Sequence, residues 1–236
     1  MSPARSRTFG HAPPELGRTD GLAWALHRPR DAPAGGVVVL HGAGSSKEPH
    51  FDFARLCAAS GLAALCFDAR GHGASDGPMD GRAIADVATM ADVLREHAGA
   101  PAIGLRGSSM GGFLDLAAAR RAGARAVVAI CPATAGGLAR GLREGRFAFA
   151  ADAPALEALL EVVDLEAVAA ALGEALLLQH AEGDDVVPVE HSRALHAAAP
   201  GSRLVVVPGG HHRSVQHDGE LQAQAARFLA RRLAVA

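Results

Sequence analysis

Ser109 lies in the run Gly107-Ser108-Ser109-Met110-Gly111, with a glycine two places away on each side. A serine hydroxyl is a weak nucleophile alone. It becomes a strong one when a base takes its proton, a third group orients that base, and two backbone NH groups receive the oxyanion that attack on a carbonyl creates. The flanking glycines allow a turn tight enough to hold such a serine above its neighbours, a nucleophile elbow. Ser108 is a poor rival, because Arg106 and Met110 occupy the places two before and two after it. The remaining parts are sought downstream: an acid at Asp184 or Asp185, then a base at His211 or His212. Serine, acid and histidine in that order along the chain are suited to acyl transfer through a covalent acyl-serine.

These residues need a scaffold, and the apolar runs outline one. Val37 to Leu40, Leu62 to Phe67, Ala102 to Leu105, Ala126 to Ile130, Ala175 to Gln179 and Leu204 to Val207 lack polar alternation, as expected of strands buried on both faces of a parallel sheet. Between them, Phe51 to Ser60, Arg82 to Glu96, Phe113 to Arg121, Glu190 to Ala199 and Glu220 to Leu233 carry helical spacing. Leu22 to His27 suggests an early antiparallel strand, and residues 1–18 a loose arm or at most an edge strand. The alternation predicts an α/β fold with a doubly wound, mainly parallel sheet flanked by helices. Ligands in such sheets bind at the carboxyl ends of the strands, where the glycine-rich loops fall. Residues 133–173 break the rhythm, with two short amphipathic patterns around Leu156 to Val163 and Leu165 to Leu172. They read as a small helical cap inserted into a single domain spanning 1–236.

Composition bounds the function. With 236 residues, 49% of them apolar, the chain can cover a large sheet on both sides. A formal charge of −2 gives no case for nucleic acid or an anionic membrane surface, and no apolar run approaches membrane-spanning length. A small-molecule partner is expected. Met1 to Gly10 has Arg5 and Arg7 but no apolar core of a secretion signal, and Cys57, Cys66 and Cys131 sit in or beside apolar runs without metal spacing. Buried free thiols and a cytoplasmic location fit this pattern.

Five motifs together carry a family resemblance: His41-Gly42, the loop Asp68-Ala69-Arg70-Gly71-His72-Gly73-Ala74-Ser75, the Ser109 elbow, Gly183-Asp184-Asp185-Val186-Val187-Pro188 and Gly210-His211-His212. In this order they resemble the α/β-hydrolase superfamily, and the second resembles the serine aminopeptidase and monoacylglycerol lipase-like esterases. The resemblance covers residues 37–232. It implies an α/β-hydrolase fold with a small helical cap and a serine hydrolase cleaving a carboxylic ester, thioester or amide of a small molecule without a cofactor or metal. Position by position it implies Ser109 as nucleophile, Asp184 as orienting acid with Asp185 as fallback, and His212 as base with His211 as fallback. The amides of Ala43 and Met110 are the implied oxyanion donors. It also leaves room for relatives that run lyase or perhydrolase chemistry, or bind a small molecule without turnover.

Other conspicuous side chains are expected to build rather than react. His41 reads as a loop organiser, Asp68, Arg70 and His72 as ties between loops, and Arg140, Arg143 and Arg146 as a solvated cap face. His191 and His196 lie off a single helix face and make a poor metal pair. Met110 and Phe113 either line an acyl pocket or pack.

Overall fold

The computed structural model describes residues 12–234; the reading of Met1 to Gly10 lies outside them. Eight strands form one sheet in the order β1-β2-β4-β3-β5-β6-β7-β8. β1 (Glu15–Thr19) and β2 (Leu22–His27) enter antiparallel, and β2 pairs antiparallel with β4 (Leu62–Phe67). From there β4, β3 (Gly35–Leu40), β5 (Ile103–Ser108), β6 (Ala124–Ile130), β7 (Leu176–Ala181) and β8 (Arg203–Val207) run parallel. The apolar runs form central strands because both faces are covered: every residue of β3, β4, β5 and β7 is buried.

Two apolar layers result. α2 (Ala83–Ala98) and α3 (Met110–Ala118) pack on one face, with Val87, Leu94, Phe113 and Leu116 in the core. α1 (Phe51–Ala59) and α9 (Gly219–Leu233) pack on the other, with Phe53, Cys57, Phe228 and Leu229. α7 (Val189–Ala198) lies beside β7 and β8. Among the described residues no helix is long and apolar enough to cross a membrane.

The segment between β6 and β7 divides. α4 (Ala135–Arg143) and α5 (Ala153–Glu161) pack on each other, whereas α6 (Leu165–Leu172) packs on α3 and α7 in the layer that covers the sheet. α4 does not stand out in sequence, because Gly136, Gly137 and Gly141 weaken its helical signal; Thr134 starts it by accepting the Gly137 amide at 2.9 Å. The chain leading to α5 is stitched to the loop after β4: the Met79 amide donates to Ala150 O, and the Asp152 amide to Met79 O, both at 2.8 Å. Asp86 is a charged residue of α2 that is buried. It turns inward from α2, 6% exposed, and receives a two-pronged bond from Arg70 at 2.9 and 3.0 Å.

Candidate active site

The loops at the carboxyl ends of β3, β5, β7 and β8 converge on one cleft. Ser109 follows β5 directly and precedes α3 with φ 53° and ψ −117°, a conformation that L-residues rarely hold. Its amide donates to Ile130 O at 2.9 Å, and its carbonyl accepts the Phe113 and Ala133 amides at 3.0 Å each, so the turn is fixed from three sides. The glycines around it are steric necessities. A Cβ on Gly111 would stand 2.4 Å from Leu40 O, and one on Gly107 2.3 Å from the backbone of Gly111. Gly42 is less tightly held: its Cβ would be 3.3 Å from that of Ser109. Met110 opens α3, so its amide is one of the four without an intrahelical acceptor. Ala43, Ser109 and His212 all line the same cleft of about 400 Å³.

The acid and the histidine meet. Asp184 Oδ2 lies 2.7 Å from His212 Nδ1, the carboxylate sealed and the imidazole 15% exposed. Asp184 Oδ1 accepts the amides of Val186 at 2.9 Å and Val187 at 2.8 Å. Burial alone would raise this carboxyl, but the Val187 amide, the His212 ring and the Val186 amide outweigh it and hold the pKa below the ordinary aspartate value. Loop packing brings the two residues together: the Glu182 amide donates to Val207 O at 2.8 Å and the Gly183 amide to Gly209 O at 3.1 Å. Asp185 and His211 are exposed, and the His211 backbone is tied into a turn by Ser214 Oγ.

Two side chains beside this pair were not among the site candidates that the sequence offered. His180, fully buried on β7, places Nε2 2.9 Å from Val187 O and 3.3 Å from Asp184 Oδ2, while Nδ1 accepts from Ser192 Oγ at 2.7 Å. Its only sequence trace is a polar residue ending an apolar strand. Cys131, with φ 43°, is the other: its sulfur and ligand atoms of Asp184 and His212 all lie within 4.8 Å of one another. This set could hold a metal ion, but burial pushes the thiol up to about 12, and the nearest Asp184 and His212 atoms are already bonded to each other.

The remaining polar loop residues frame the cleft. The buried His41 ring donates from Nδ1 to Gly42 O at 2.8 Å and accepts the Ala69 amide at Nε2; burial pushes its pKa down to about 4 and keeps it neutral. His72 accepts the Gly44 amide at 3.1 Å and bonds Arg70 O, which ties the loop after β4 to the loop after β3. Asp68 accepts from the Lys47 amide and ammonium, each at 2.7 Å, and from the Ala74 amide. Next to the cleft, Met110, Leu114, Leu138, Phe147 and Leu160 line an apolar seam between α3 and the α4–α5 pair with about 10 Å³ of room. Phe113 is sealed in the core and packs only.

An elbow serine between strand and helix, on an eight-stranded mainly parallel sheet, defines an α/β hydrolase. Residues 31–150 match the family described as serine aminopeptidase, S33, and the chain belongs to that family. Solved structures share the fold. Est1E from Butyrivibrio proteoclasticus aligns with TM-score 0.70 at 19% identity, covering 95% of this chain and 100% of its own. The esterase domain of a Rhodothermus marinus protein aligns with TM-score 0.69 at 23% identity, over 93% and 95%. A monoacylglycerol lipase from Paleococcus ferrophilus aligns with TM-score 0.65 at 19% identity, over 93% and 98%. No curated protein matches the chain in sequence.

Proposed function

We propose that the protein is a serine hydrolase that cleaves carboxylic esters of small molecules through an acyl-serine. The observation that carries this reading is the 2.7 Å contact of His212 Nδ1 with a sealed Asp184 carboxylate, in the cleft that also holds Ser109 in its strained turn. Asp184 accepts from Nδ1, which leaves Nε2 of His212 free to take the Ser109 proton as Oγ attacks the acyl carbonyl. The amides of Ala43 and Met110 are assigned to the tetrahedral oxyanion, each such donor contributing about 3 kcal/mol to the transition state. His212 then returns the proton to the leaving alcohol, and a second pass with water releases the acid.

The α4–α5 pair serves as a small cap, and the near-absence of room in the apolar seam beneath it favours short acyl groups. Esterases and a lipase among the structural relatives, one of them Est1E with ferulic acid bound, are consistent with small ester substrates. The test is labelling with a fluorophosphonate followed by peptide mapping, alongside hydrolysis of 4-nitrophenyl butyrate. Label on the Ser109 peptide and turnover lost in Ser109→Ala are expected. Label elsewhere overturns the assignment, and tight ester binding without turnover favours a binding protein on the same fold.

A further inference from the structure

The cleft is uneven in charge. Among the described residues that line it there is no carboxylate, and Arg213, Gln216 and His217 stand at one end. Arg213 follows His212 directly, is exposed, and makes no ion pair or side-chain hydrogen bond with another described residue. Beneath that end lies a second guanidinium. Arg106, 1% exposed, donates from NH2 to Gln216 O at 2.9 Å, rests 4.2 Å over the Phe53 ring, and has no carboxylate within ion-pair distance. Burial lowers its pKa to about 10, so it stays cationic at neutral pH. Asp115, the acid it senses, is itself sealed and pushed toward the neutral form. Glu48 and Asp52 are engaged by Lys47 and Arg55. Ser108 Oγ, on a residue that lines the cleft, and His50 Nε2, beside Arg106, are buried without a hydrogen-bond partner. The Arg213 charge thus faces a cleft with no carboxylate in its wall, and the sealed Arg106 charge lies behind that wall through Gln216 O.

We propose that the substrate carries a carboxylate on its alcohol side, received at this end by the Arg213 guanidinium and favoured by the field of Arg106. Guanidinium groups match carboxylates with paired donors, and in a concave, partly dry site an opposite charge steers and holds the ligand. The acyl side is assigned to the opposite requirement: Met110, whose amide is the proposed oxyanion donor, has its side chain in the apolar seam. This inference rests on the acyl-transfer reading above and names the substrate class for the same site.

The test compares 3-acetoxybenzoate with its neutral analogue 3-acetoxybenzamide, which share acyl group and shape. The ratio of kcat/KM for charged over neutral ester is expected to exceed about tenfold at low salt, to shrink as sodium chloride is added, to fall about tenfold in Arg213→Ala and to recover in part in Arg213→Lys. A ratio at or below one in the native chain, or one that Arg213→Ala leaves unchanged, overturns the proposal. Should neither ester turn over and Ser109 stay unlabelled, the acyl-transfer reading has failed, and calorimetric binding of 3-acetamidobenzoate against 3-acetamidobenzamide still decides. A carboxylate preference lost in Arg213→Ala supports the anion site, and equal binding of the two overturns it.

Discussion

His180 Nε2 lies 3.3 Å from Asp184 Oδ2, and both side chains are sealed from solvent. Ser192 Oγ on Nδ1 and Val187 O on Nε2 fix the tautomer, so the Nε2 proton goes to the carbonyl with the carboxylate beside it. Asp184 Oδ2 therefore has a second NH dipole close by besides the His212 donor, which tempers its basicity. Replacing His180 with leucine removes that dipole and strengthens the pull of Asp184 on His212. The acid limb of the kcat/KM profile for 4-nitrophenyl butyrate is expected to move to higher pH, with plateau kcat several-fold lower. His180→Gln, which keeps an NH donor, is expected to restore part of the shift. A lower plateau with an unmoved acid limb would reduce His180 to packing.

The contact between Asp184 and His212 makes a larger demand. Asp184→Asn keeps the shape but offers an amide that no longer fixes the imidazole proton on Nδ1, and kcat is expected to fall by about 10³- to 10⁴-fold with little change in KM. Asp185→Asn, altering an exposed side chain, is expected to stay within about two-fold of the native rate. Steady-state kinetics on the two variants side by side checks both, and a larger loss in Asp185→Asn would move the acid by one residue.

Glycines near the elbow divide by what surrounds them. A Cβ on Gly111 meets backbone oxygens of Leu40 at 2.4 Å and His41 at 2.6 Å, and neither can retreat without moving β3 or the loop after it. Gly44, with φ 70°, has nothing within 4 Å of its Cβ, so alanine there costs only the left-handed strain. Gly111→Ala is expected to lose at least about 2 kcal/mol of stability together with activity, and Gly44→Ala about 1 kcal/mol. Urea denaturation separates the two, and equal losses would contradict the steric account.

Much of this was legible in the chain. β4 runs over the residues its apolar run marks, and the other buried runs lie within a few residues of their strands, because a strand covered on both faces needs continuous apolar residues and leaves that trace. The spacing around Ser109 was readable because overlap with Gly111 and Leu40 admits so few residue types. The choices between Asp184 and Asp185, and between His211 and His212, were not local matters: they depend on how the loops after β7 and β8 meet at Gly183 and Gly209, contacts that no periodicity encodes. For the same reason the inward turn of Asp86 leaves no trace in the helical spacing of Arg82 to Glu96, its partner Arg70 lying on a separate loop. α4 was hidden by its glycines, and α8 (Ser214–His217) by its four-residue length.

Buried neutral histidines make the fold acid-sensitive. Burial lowers His41 to about 4 and His50 to about 2, against 6.5 for the ordinary side chain, and His72, His180, His191 and His217 are lowered as well. Below 6.5 the unfolded chain binds protons that the native state refuses, so stability is complete above that pH and declines as pH falls toward the native values. His41 and His50 together give a slope that reaches about 2.7 kcal/mol per pH unit near pH 5, before opposing groups are counted. Urea midpoints at pH 7, 6 and 5 are expected to fall in that order, and a flat series would contradict the buried neutral state.

Asp115 works in the opposite direction. Its carboxyl is fully buried on α3, neither oxygen has a hydrogen-bond partner, and burial raises its pKa well above the ordinary value despite the attraction of Arg106. A native pKa above the unfolded one means that its favourable contribution is whole below about 3.8 and is lost as pH rises through the native value, since the unfolded chain releases a proton that the native state keeps. Asparagine has the shape of the protonated acid and nothing to titrate. Asp115→Asn is therefore expected to match the native chain in stability near pH 4 and to exceed it progressively at higher pH, by about 1.4 kcal/mol per unit until the native carboxyl ionises. Paired urea titrations from pH 4 to 8 measure the gap. A constant gap would mean that Asp115 ionises normally and finds its partner in solvent, and a gap that narrows with pH would mean that the Arg106 charge outweighs burial.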